Sequence, residues 1–144
     1  MLHPLQSAPA NPANSASNRF FGSIGIRTGS RVLDIGCGSG DLSRFVARLV
    51  GPQGEVVAVD SSGAALTSAR AVGGELDAAP IDYRAADLAA GLDDLGRFDV
   101  IVGRRILMYL PDASGTLARV LQLFLCIGVF MTGYGTRLRP KAAM

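Results

Sequence analysis

Apolar positions along this chain change period several times, and each change marks an element. Val32, Leu33 and Ile35 form a short apolar run that ends in a cluster of glycines, which predicts a buried strand running into a loop. Leu42, Phe45, Val46, Leu49 and Val50 then recur at helical spacing, so a helix starts near Asp41 and stops at Gly51 and Pro52. Val56, Val57, Ala58 and Val59 make a second buried strand ending in Asp60, with Ser61 and Ser62 able to cap a helix over residues 64–72 that Gly73 and Gly74 terminate. A weaker strand over residues 81–85 leads to Asp87, a fourth over 98–102 runs out at Gly103, and residues 113–124 return to helical spacing. Strands alternating with helices require crossover connections, so the expected fold is α/β: a doubly wound, mostly parallel sheet.

The ends of this pattern differ from its middle. Residues 1–18 carry Pro4, Pro9 and Pro12 among Ala, Ser and Asn without periodicity and are expected to be a flexible tail. Residues 19–124 form the expected domain, and 125–144 an atypical C-terminal segment. The apolar run 120–131 contains Gln122 and is shorter than the ~20 residues needed to span a bilayer, so a buried strand or helix end is expected there.

Composition narrows the chemistry. The chain has 144 residues, 49% apolar and 18% charged, enough for one core. A net charge of +2 is too small to mark a nucleic-acid surface. Cys37 and Cys126 have no partner at metal-ligand spacing, so neither a metal site nor a disulfide framework is expected. No signal-peptide pattern is present, which makes a cytoplasmic address the expectation. The single histidine, His3, lies in the tail, so a general base would have to be a carboxylate or tyrosine.

Ligands of open parallel sheets bind beyond the carboxyl ends of the strands. There the chain reads Asp34-Ile35-Gly36-Cys37-Gly38-Ser39-Gly40, glycines at alternate positions where a strand meets a helix. Glycine allows a tight turn and close approach of a ligand. Asp60, ending the second strand, can accept hydrogen bonds from ribose hydroxyls. A dinucleotide fingerprint needs Gly or Ala at the sixth place counted from Gly36, but Asp41 stands there and would set a carboxylate against a pyrophosphate. Loop and acid together suit a nucleoside ligand without phosphates and with a positively charged end, and leave a nicotinamide oxidoreductase as a minor alternative. Cys37 has no base near it in sequence to form a thiolate, and is read as a small residue lending its backbone.

The run Val32-Leu33-Asp34-Ile35-Gly36-Cys37-Gly38-Ser39-Gly40 resembles the first signature of class I S-adenosylmethionine-dependent methyltransferases, and the resemblance extends over about residues 22–123. Phe98-Asp99-Val100-Ile101-Val102, followed by Arg104 to Asp112, is similar to the small-molecule branch that includes quinone-biosynthesis methyltransferases. The resemblance implies S-adenosylmethionine as cofactor and a small-molecule methyl acceptor. It implies cofactor contacts from Asp34, Gly36, Cys37, Gly38, Gly40, Asp60, Ser61, Asp87, Leu88 and Arg104, with Asp60 on the ribose hydroxyls and Asp87 on the adenine amino group. Asp87 could instead turn the chain, Asp99 could orient a loop, and Tyr109 could be packing. No catalytic side chain is assigned. The family's sheet has seven strands and a turn before the fifth. Leu123 to Met131 shows no such turn, so truncation or replacement after about residue 124 is expected, with an open edge that invites self-association or a binding-only remnant.

Overall fold

The computed structural model describes residues 19–23, 26–104, 106, 109–122 and 129–132. Residues 1–18, with His3, and Arg105, Leu107, Met108, Phe124 and Cys126 lie outside the described residues.

Five strands form one sheet among the described residues: β1 (Arg31–Ile35), β2 (Glu55–Asp60), β3 (Ile81–Ala85), β4 (Val100–Arg104) and β5 (Val129–Thr132). Every neighbouring pair is parallel, in the order β3-β2-β1-β4-β5. Three helices connect them: α1 (Asp41–Val50), α2 (Gly63–Val72) and α3 (Ala113–Leu121). The chain adds β2 and β3 on one side of β1, then crosses back to add β4 and β5 on the other. The point of reversal therefore lies between β1 and β4, where open α/β sheets form their ligand crevice.

Alternation along the strands divides the core into two layers. Val32, Val56, Val100 and Val102 meet Leu42, Val46, Ala47 and Val50 of α1, with Phe21 from the helical stretch 19–23. Leu33, Ile35, Val57, Val59 and Ile101 point the other way, against Leu88, Leu92, Leu95, Phe98 and Val120. Strands buried on both faces read as continuous apolar runs, which is why β1 and β2 stood out in the sequence. Glycines bound the elements as their geometry requires: α1 starts from left-handed Gly40 (φ 87°) and ends at Gly51 (φ 67°). Of the two serines, Ser62 caps α2 by accepting a hydrogen bond from Ala65 N.

Two boundaries differ from expectation. β4 begins at Val100, not Phe98, because Phe98 and Asp99 are used as an anchor. The Asp99 amide donates to Arg31 O (2.9 Å) and its Oδ2 accepts from Arg31 N (2.8 Å). The Arg31 guanidinium lies over the Phe98 ring at 4.2 Å, pairs with Glu55 at 2.9 Å and donates to the carbonyls of Leu95 and Arg97. This knot closes the amino end of the sheet, so Asp99 lies at the opposite end from the expected ligand crevice. The second is the last helix, which ends at Leu121 rather than 124; the apolar run 120–131, expected to hold a buried strand or helix end, runs into β5, which pairs Ile101 to Arg104 of β4 with Val129 to Thr132. Helical spacing carries α3 to Leu121, with residues 123–128 outside the described ones. Among the described residues no helix is long and apolar enough to cross a membrane.

Phe98 is fully buried against both the sheet and Arg31. Phe98→Ala is expected to lower unfolding free energy by about 3–5 kcal/mol in urea denaturation. A loss under about 1 kcal/mol would show that the knot does not hold the sheet.

Candidate functional site

At the carboxyl ends of β1, β2 and β3, the glycine loop from Gly36 to Gly40 arches over the sheet with all three of its alternating glycines at positive φ (67°, 54° and 87°). The three lack side chains for different reasons. A Cβ at Gly36 would collide with Ile106, whose side chain seats on it. One at Gly40 would meet the Tyr83 hydroxyl at 2.6 Å and Arg44 Nη1 at 2.8 Å, so Gly40 makes room for protein atoms. Gly38 alone opens onto free space, with nothing within 4 Å of the place its Cβ would take.

Asp60, the last residue of β2, reaches this loop. Its Oδ2 accepts from Gly38 N at 2.9 Å, and its Oδ1 accepts from Ser62 N at 2.8 Å. Beside it opens a cavity of about 160 Å³ lined by Gly36, Asp60, Ser61, Asp87, Leu88 and Ile106, with Ala86, Tyr109 and Leu110 completing the wall. Asp87 has two duties there, since its Oδ1 also accepts from Ala89 N (2.9 Å) and turns the chain after β3. Tyr109 is 76% exposed at the rim, so it is not core packing.

Asp34 sits one layer down. It is 1% exposed, at the end of β1, and its Oδ2 accepts from the Ser43 hydroxyl at 2.6 Å. Its Oδ1 has no hydrogen-bond partner among the described residues. Burial raises its pKa to about 7, with the Asp60 charge adding and the Ser43 hydrogen bond and Arg104 opposing. Arg104, closing β4, supplies the nearby positive charge. Cys37 is buried against Ala58 and Leu66, and desolvation first, then the charges of Asp34 and Asp60, push its thiol up to about 12. Its amide donates to Val59 O at 3.0 Å, a backbone role. Asp41 pairs with Arg44 at 2.7 Å in the first turn of α1, leaving a carboxylate where a dinucleotide's pyrophosphate would need bare amides.

Of the ten residues singled out from sequence, Gly36, Asp60, Ser61, Asp87 and Leu88 line the cavity, and Gly38 is tied to it through its amide bond to Asp60. Asp34, Cys37, Gly40 and Arg104 stand behind or around it. Ser43 is marked in the sequence only as a polar residue on the buried stripe of α1 with Leu42, Val46, Ala47 and Val50, and its role shows only in the structure. Ile106 and Leu110 likewise follow β4 without any periodicity to mark them.

Residues 26–141 match the model of a family described as methyltransferase domain. The chain belongs to that family. Aklanonic acid methyltransferase DauC of Streptomyces sp. strain C5 is 37% identical over 92 residues, 64% of this chain and 42% of that protein. The ubiquinone/menaquinone biosynthesis C-methyltransferase UbiE of Pseudomonas paraeruginosa is 54% identical over 46 residues, 32% of this chain and 18% of that protein. This methyltransferase domain therefore spans less than half the length of those curated relatives. A crystal structure of an S-adenosylmethionine dependent methyltransferase from Mesorhizobium loti superposes with a TM-score of 0.62 at 27% identity, covering 83% of this chain and 52% of that one.

A raised carboxyl pKa gives stability a definite slope. Between the ordinary Asp value of 3.8 and about 7, the folded chain keeps a proton on Asp34 that the unfolded chain has released. Stability should therefore fall as pH rises through that window and level off above it. Asp34→Asn should abolish this part of the slope, read as the difference in urea midpoint between pH 5 and pH 8. An equal difference in both proteins would mean that Asp34 is ionised throughout.

Proposed function

We propose that this domain binds S-adenosylmethionine in the crevice at the carboxyl ends of β1, β2 and β3 and carries out methyl transfer to a small-molecule acceptor. The observation that carries the reading is a cavity lined by Gly36, Asp60 and Asp87 at the carboxyl end of the sheet where the strand order reverses, with Asp60 also holding the Gly38 amide of the glycine loop. Asp60 would accept from the ribose hydroxyls. Asp87, across the cavity, would take the adenine amino group, with Leu88 against the ring. The Asp60 carboxylate, joined by Asp34 above about pH 7, would supply negative potential for a ligand whose methionine end is cationic, and the unpartnered Oδ1 of Asp34 leaves acceptor capacity there. The names of the two curated relatives, for aklanonic acid and for quinone biosynthesis, support a small organic acceptor.

S-Adenosylmethionine, when bound, supplies a methyl group on a positively charged sulfur that already leaves readily. What remains for the chain is alignment of acceptor and methyl for in-line displacement and exclusion of water, an effect that can reach ~7–11 kcal/mol. Ile106, Leu110 and Tyr109, which share the cavity wall, would meet the acceptor.

Calorimetric titration with S-adenosylmethionine, and separately with NADH, tests the cofactor. Binding of the first and not the second is expected, and the reverse would sink the reading. Asp60→Ala should weaken S-adenosylmethionine binding by about 1–3 kcal/mol, the cost of leaving ribose hydroxyls without a charged acceptor. Gly38→Val should abolish binding with helical content nearly unchanged, because a branched side chain is strained at φ 54° and fills the one opening in the loop. A folded valine variant that binds normally would show that the loop does not cradle the ligand.

A further inference from the structure

Both oxygens of Asp60 are engaged with main chain before any ligand is considered, Oδ2 with Gly38 N and Oδ1 with Ser62 N. The first of these bonds joins the end of β2 to the middle of the glycine loop. That loop needs fastening. Gly36, Gly38 and Gly40 all sit at positive φ, and glycine is the residue with the most backbone freedom to lose. On either side of Gly38 the loop is held by other bonds: Cys37 N donates to Val59 O and Gly40 N donates to Cys37 O, each at 3.0 Å, and Arg44 Nη1 donates to Ser39 O at 3.0 Å. At Gly38 the acceptor is a side chain, and no Cβ packing is available there because nothing lies within 4 Å.

We propose that Asp60 is a positioning residue for the whole ligand as well as the ribose acceptor: it holds Gly38 in the binding shape before the ligand arrives. The inference rests on the reading of the site given above. The carboxylate has the capacity for both duties, since it offers about four lone-pair directions and the two amides use two of them. Removing Asp60 then acts twice. The ribose loses its acceptor, and the loop spends less of its time in the competent shape, which lowers affinity in proportion for every part of the ligand. Asp60 contributes in this way to binding of groups it never touches.

The two duties separate when the ligand lacks the ribose hydroxyls. Wild type and Asp60→Ala are titrated with S-adenosylhomocysteine and with its 2′,3′-dideoxy analogue. In parallel, amide exchange at Gly38 is followed in the free proteins, with the buried β2 amide of Val57 as a control for folding. The expected result is a loss of about fivefold or more in affinity for the dideoxy analogue on going from wild type to Asp60→Ala. Exchange at Gly38 should quicken in the variant while Val57 stays protected. Equal affinity of the two proteins for the dideoxy analogue, with the loss confined to S-adenosylhomocysteine, would overturn the positioning role and leave the ribose role standing. Failure of wild type to bind S-adenosylhomocysteine would overturn the reading of the site and this inference with it. If the alanine variant does not fold, Asp60→Asn takes its place. Its amide can accept from only one of the two N–H groups, so an Asn variant with wild-type affinity for the dideoxy analogue and wild-type exchange at both Gly38 and Ser62 would equally overturn the proposal.

Discussion

β1 is hydrogen-bonded on both sides, to β2 and to β4, and everything else in the fold takes its position from that strand. The loop after β1 rises between two neighbours whose own loops turn away from each other, because the chain adds strands first on one side and then on the other. An opening at that place is a consequence of topology, before any side chain is considered. Side chains then decide what the opening can hold. Asp34, Asp60 and Asp87 end or follow β1, β2 and β3 in turn, so three parallel strands in register deliver three carboxylates to one end of the sheet.

That concentration of negative charge has a cost that the fold offsets locally. Burial is what most disfavours the ionised form of Asp34, and the nearby Asp60 adds to that cost. Ser43 and Arg104 lower it. Asp60 is eased by two amide donors and by its partial exposure. The opposite end of the sheet is built on the reverse principle. Arg31 finds partners there in Glu55, Asp99 and two carbonyls, and its guanidinium is covered by an aromatic ring. One end is satisfied internally. The other keeps acceptors in reserve.

How much of this could be read along the chain follows from how locally each feature is encoded. β1 and β2 were legible because apolar runs buried on both faces are bounded by Gly or Asp, and the glycine loop and Asp60 because they directly follow such runs, whereas half-exposed β3 gave a weaker signal. Phe98 misled for the same reason: it is apolar and adjacent to a strand, but its burial serves contact with Arg31, some 70 residues away in sequence. Ser43 was hidden because a lone serine on a helix says nothing of its partner until the helix is laid on the strand. β5 carried no turn signal ahead of it, and pairing with β4 is a nonlocal fact that no window of sequence contains. The different duties of Gly36, Gly38 and Gly40 needed the positions of Ile106, Tyr83 and Arg44, all distant or out of register.

Cys37 stands in the middle of a loop proposed to hold an electrophile. A thiolate at that place would be the strongest nucleophile near a sulfonium methyl and would compete with the intended acceptor for it. Burial against Ala58 and Leu66, together with the two neighbouring acidic side chains, pushes the thiol up to about 12, so it stays protonated near neutral pH. With the proposed cofactor bound, the same acidic end of the sheet that would draw a cationic donor in would also keep the nearest sulfur inert toward it.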